Sequence, residues 1–82
     1  MPERELVRKA GHATLERVRR GTGSEHDGVM LTTDDGERLL LVRLGGNPFA
    51  DPDTLRLAGK RIEAEGYVVG SELRYQSARE LD

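Results

Sequence analysis

The most pointed chemistry in this chain belongs to its arginines. Arg17, Arg19 and Arg20 crowd into "ERVRRG", and Arg43 follows "LLLV". A guanidinium is planar, permanently charged and offers a fork of N–H donors, so clustered arginines suit bidentate recognition of phosphate or carboxylate. Tyr67, in "EGYVVG", adds a ring on which a base could stack. Arg17, Arg19, Arg20, Arg43 and Tyr67 form a candidate set for binding single-stranded nucleic acid. A plainer account of the same arginines is a coding preference for arginine over lysine, with the charges merely solvated.

Other constellations lead less far. Glu25-His26-Asp27 groups three potential metal ligands. Consecutive residues in a loop seldom converge on one ion, and a metal site also needs supporting contacts. Asp34-Asp35-Gly36 resembles the start of a calcium loop without its later ligands, and turn chemistry explains it better. "GTGSEHDG" lacks the third glycine of a dinucleotide loop and does not open a helix. His12 has no partner in view, and Glu63 and Glu65 share the outer face of one strand. No serine or threonine sits in a nucleophile motif beside a base. The expected role is therefore binding without catalysis, metal or cofactor.

Composition sets the frame for these residues. The chain has 82 residues, enough for one domain, divided here into an N-terminal segment (1–10) and a body (11–81). Its net charge of −2 does not suggest a general polyanion binder. The charge is uneven: basic residues gather in 1–20, whereas 25–37 carries Glu25, Asp27, Asp34, Asp35 and Glu37 with no basic residue. No cysteine is present, which excludes disulfides and thiolate-bound metals and suits a reducing compartment. No apolar run reaches membrane-spanning length, and "MPERELVRKAG" has no h-region. A cytoplasmic location without a membrane partner is expected.

The elements that position these residues are mainly strands. In "GKRIEAEGYVVGSELRY", Gly70-Ser71 suits a type II′ turn. That register pairs Val68 with Leu73, Gly66 with Tyr75 and Ala64 with Ser77 on an inner face, and Tyr67 with Arg74 and Arg61 with Glu80 outside. Gly66 would leave room for the Tyr75 ring and let the strand coil around a barrel. In "GVMLTTDDGERLLLVRLG", Asp35-Gly36 suits a type I′ turn. Leu31 would then pair with Leu40 and Val29 with Val42 inside, with Met30 opposite Leu41 and Thr32 opposite Leu39 outside. A three-residue loop would move this pairing by one. "GHATLERVRRG" reads as the first strand, with a bulge at Glu16-Arg17 to keep Ala13, Leu15 and Val18 inward, followed by a loop over "GTGSEHDG".

Asp51 as N-cap, Pro52 at the first helical position and Asp53 in the first turn predict a short helix over about 52–58. Leu55 and Leu57 or Ala58 would touch the core, and Phe49 would plug one end. Residues 1–10 carry start and stop signals of a short helix, with Glu3 and Glu5 early and Arg8 and Lys9 late; the alternative is an extension of the first strand.

The order strand, strand, strand, short helix, strand, strand predicts an all-β fold: a five-stranded Greek-key OB-like barrel with a short helix between strands 3 and 4. The tail "LAGKRIEAEGYVVGSELRYQSAREL" resembles the last two strands of bacterial OB domains of the tRNA-anticodon-binding type. Leu57, Gly59, Lys60, Ile62, Ala64 and Gly66 match that group's Leu-x-Gly-Lys/Arg-x-apolar-x-apolar-x-Gly run. The resemblance implies a nucleic-acid-binding surface on the outer face of strands 2 and 3. This chain departs from nucleic-acid-binding members there, because no aromatic ring falls on either strand. The expected register instead places Met30, Leu39 and Leu41 on that face. This is an apolar patch suited to a protein partner or to self-association, unless Leu6 and Val7 cover it or the register is off by one.

Overall fold

A computed structural model describes residues 5–20, 24–45 and 51–81. Its strands are β1 (Val7–Arg20), β2 (Ser24–Thr33), β3 (Arg38–Arg43), β4 (Arg61–Val69) and β5 (Glu72–Glu80), with helix α1 (Pro52–Leu55) between β3 and β4. The sheet runs β1-β2-β3-β5-β4, and β4 returns to β1, so it closes on itself. The β3–β5 pair is parallel and the others are antiparallel. An all-β fold with little helix agrees with the sequence reading. Alternate inward residues from all five strands make the core: Ala13, Val29, Leu31, Leu39, Leu41, Ile62, Ala64, Leu73 and Tyr75.

Closure depends on bending β1 and β4. β1 pairs with β4 through Val7–His12 and with β2 through Gly11–Arg20. Gly11 lies where one partner gives way to the other. A Cβ there would stand 2.0 Å from the Thr32 carbonyl oxygen. Gly66, opposite Tyr75 as the turn register predicts, has the same reason for being glycine. A Cβ would stand 2.1 Å from Arg74 O and 2.5 Å from Tyr75 Cα. What occupies the gap is thus the β5 backbone, where the sequence suggested the tyrosine ring.

The β4–β5 ladder follows the expected register from Val69↔Glu72 to Gly66↔Tyr75 and then shifts. Gln76 is the extra residue of a bulge, so Ala64 meets Ala78, not Ser77, and Ile62 meets Glu80 in place of Arg61. Gly70 alone takes positive φ in its turn (62°), as type II′ requires.

The β2–β3 hairpin differs by one residue from the favoured expectation. Leu31 pairs with Leu39 and Met30 with Leu40. Gly36 has φ 95° and no described non-glycine residue, Asp35 included, has positive φ, which rules out type I′ at Asp35-Gly36. Gly36 N–H donates to Thr33 O, and Thr33 N–H donates to Glu37 O, the three-residue loop with a left-handed glycine. Because side chains alternate, this shift turns Leu39 and Leu41 inward. Each is 4% exposed.

At the N-terminus, residues 7–10 are strand, so the helix expectation fails there and the extension of β1 is what forms. Pairing with β4 supplies backbone partners that a lone short helix could not find; residues 1–4 lie outside the described set. The β1–β2 ladder is unbroken from Gly11↔Thr33 to Arg20↔Ser24, without the expected bulge at Glu16-Arg17. Ser24–Gly28 belongs to β2 and not to a loop.

Helix α1 starts as predicted: Asp51 caps it by accepting from Asp53 N–H at 3.0 Å, with Pro52 following. It is shorter than expected. Leu57 and Ala58 pack on the core from the turns after it, while Leu55 is exposed and Thr54 buried. Phe49 lies outside the described residues.

Candidate functional site

The strands set the basic residues directly against acidic ones. Arg17 stands opposite Asp27 and Arg19 opposite Glu25 in the β1–β2 ladder. Arg17 Nε donates to Asp27 Oδ1 at 3.2 Å. Arg20 stands opposite Ser24; the side chains of Arg19 and Arg20 are outside the described set. Lys9 reaches Glu37 at 2.7 Å, Arg38 bonds Glu16, and Arg61 forks onto both Asp34 oxygens at 2.7 and 2.8 Å. Part of the uneven charge of 1–20 and 25–37 is therefore complementarity between the two stretches, at Arg17–Asp27 and Lys9–Glu37. Opposite charges facing each other across a ladder stabilise it modestly.

Arg43 is drawn furthest from the expected role. It follows Leu39 and Leu41 on the inner register, at the end of β3. Its Nε donates to Asp51 Oδ2 at 2.6 Å, and Asp53 lies 3.8 Å away. The Asp51 side chain is only 5% exposed. Thr54 and the Tyr75 hydroxyl bond beside it, both buried. Burial holds the Tyr75 phenol above its ordinary value. Arg43, Asp51, Thr54 and Tyr75 form a polar clasp that ties α1 to β3 and β5 over one end of the core. Tyr67 pairs with Arg74 across β4–β5, as predicted, and is half-buried outside the core.

Each described arginine and lysine side chain lies within 4.0 Å of a carboxylate. The structure brings Arg17, Arg43 and Tyr67 to three separate places: the end of the β1–β2 ladder, the α1 clasp and the β4–β5 outer face. On the outer side of β2 and β3 the apolar residues are Met30, Leu40 and Val42, in place of Met30, Leu39 and Leu41. Leu40 is 8% exposed yet stands outside the core cluster. This strip, half-buried at Met30 and Val42, follows from the hairpin register alone; its signal in the sequence was the three-residue alternative at Asp34-Asp35-Gly36.

A shallow groove of about 350 Å³ crosses β1, β4 and β5. Glu65 and Glu63 line it, and Arg8 and Arg79 hold them at 2.9 and 3.1 Å. The hydrogen bond from Arg8, with a second from Gln76, holds the Glu65 carboxyl below its ordinary value. Among the described residues no group of three or more histidine and carboxylate side chains is placed to hold a metal ion. No helix of the described residues is long and apolar enough to cross a membrane.

Comparison of the chain with protein-family models, with curated proteins and with solved structures finds no match.

Proposed function

We propose that the chain is a small, non-catalytic binding module of the OB type, and that its ligand is a segment of another protein. The OB assignment is supported by the strand order, by the parallel β3–β5 pair and by the helix between β3 and β4. The preference for a protein ligand rests chiefly on the charge pairing. Nucleic-acid affinity comes largely from cations that neutralise phosphates, and each described cation here is already matched by a carboxylate of the same chain; a peptide segment draws its affinity from main-chain hydrogen bonds and apolar contacts and needs charges only for selectivity. The outer face of β2 and β3 carries the half-buried apolar Met30 and Val42 beside a buried Leu40, and no ring for base stacking. Binding of single-stranded nucleic acid through Arg17, Arg19 and Arg20 is the competing reading, because exposed ion pairs are weak and can exchange partners.

Two measurements decide between them. Selection from a displayed library of random peptides should enrich ligands whose synthetic forms shift amide resonances of the isotopically labelled chain. Titration with single-stranded DNA and RNA oligomers at low salt should leave the amides of residues 17–20 unmoved. Salt-sensitive shifts there with an oligonucleotide, and no enriched peptide, would reverse the assignment.

A further inference from the structure

β1 outruns its partner on one side. It pairs with β2 along Gly11–Arg20 but with β4 only through Val7–His12. One further contact follows: Ala13 N–H donates to Lys60 O, and Ala13 O accepts from Gly59 N–H. Both backbone groups of Ala13 therefore face away from β2. Successive residues of a strand direct their backbone groups to opposite sides, so Leu15, Arg17 and Arg19 face the same way as Ala13. Among the described residues nothing pairs with that edge. Leu15 is the most exposed of the large hydrophobic residues described, at 54%.

We propose that this edge of β1 accepts an extended, acidic segment of a partner protein as an added antiparallel strand. Such addition draws affinity from main-chain hydrogen bonds and selectivity from alternate side chains. The protein-ligand reading above is assumed here, and what is added is where the ligand sits and what pattern it carries. The pattern is visible on the other edge of the same strand. There β2 places Glu25 opposite Arg19, Asp27 opposite Arg17 and Val29 opposite Leu15. A strand on the open edge meets the same three residues, so it should read acidic-x-acidic-x-apolar from its N-terminus. Arg17 has donors beyond the Nε–H given to Asp27 and can serve a second carboxylate.

A second copy of the chain suits this edge poorly. Antiparallel pairing of β1 with itself about Arg17 puts Arg17 opposite Arg17 and Leu15 opposite Arg19, and facing like charges are destabilising. The same arginines that discourage self-pairing select an acidic guest.

The test uses the full labelled chain and a synthetic peptide of the β2 sequence, Ser24–Thr33. Binding should shift the amides of Leu15, Arg17 and Arg19 and slow their hydrogen exchange, and should weaken as salt is raised. A peptide with lysine at its two acidic positions should bind at least about tenfold more weakly. Arg17→Glu with Arg19→Glu should weaken the acidic peptide similarly. Leu15→Glu, at an exposed position, should do so without disturbing the β1–β2 charge pairs. Equal binding of the lysine peptide overturns the proposal. So does a dimer in light scattering whose Leu15, Arg17 and Arg19 amides are already protected. If library-selected peptides shift only Met30, Leu40 and Val42, the β1 edge falls while the protein-ligand reading stands.

Discussion

Arg43 and Asp51 form the closest charged contact between a strand and α1, with Nε 2.6 Å from Oδ2. The same carboxylate caps the helix through Asp53 N–H. One buried acid thus serves two partners, and Arg43, one of the candidate ligand-binding arginines, is held by the fold. Asp51→Ala should remove cap and ion pair together and cost about 1–3 kcal/mol in urea unfolding. Asp51→Asn keeps a competent cap and should cost clearly less. Equal losses would mean that the cap contributes nothing.

The two sharp bends predict an asymmetry among glycines. Gly66→Ala forces a Cβ onto the β5 backbone, which cannot move without opening the sheet. A loss of at least about 2–3 kcal/mol, or failure to fold, is expected. Gly36→Ala meets open space and suffers only from its positive φ, at about 1–2 kcal/mol. Thermal melts of the two variants give the comparison.

The hairpin register is tested by paired truncations. Leu41→Ala empties a core position and should cost about 2–5 kcal/mol. Met30→Ala, half-buried and outside the core cluster, should cost much less. The reverse order would restore the two-residue turn.

Tyr75 links stability to alkaline pH. Its phenol is held above the ordinary value of 10.0, chiefly by burial. The neutral form is therefore favoured more in the folded chain than in the unfolded one. That contribution is complete below about pH 10 and is lost as pH rises through the folded value. Tyr75→Phe should flatten this alkaline decline in a Tm-against-pH series. It should also cost about 1–2 kcal/mol at neutral pH by leaving the buried Thr54 hydroxyl without its partner.

At the acidic end the sign is opposite. Hydrogen bonds from Arg61 hold Asp34 below its ordinary value, the Thr33 hydroxyl does so for Asp35, and Arg8 does so for Glu65. Each contributes stability above the ordinary carboxylate range, and that contribution disappears as pH falls through the lowered values. Tm should drop below about pH 4. Added salt should reduce the drop, because these pairs are exposed to solvent.

Gly70-Ser71 was decisive because a leading glycine permits few tight turns, and the pairing of Gly66 with Tyr75 followed from it. Asp51-Pro52-Asp53 marked a helix start for reasons local to those residues. Asp35-Gly36 was ambiguous because a left-handed glycine serves both a two-residue and a three-residue loop. That single step decides whether Leu39 and Leu41 face in or out. Residues 7–10 carry helix-like end charges, yet the partner that makes them a strand lies more than fifty positions away, beyond any local signal. The bulge at Gln76 likewise answers to the bend at Gly66. The fate of the arginines was hidden for the same reason: pairing Arg17 with Asp27 or Arg43 with Asp51 depends on register, which composition does not reveal.

The seam between β1 and β4 joins residues 7–12 to residues 61–66. During synthesis the first hairpin must therefore wait, with its inner face uncovered, until most of the chain has been made. Pairing so distant in sequence is slow to nucleate. The stretch most open to misassembly is thus β1 to β3 before β4 joins it.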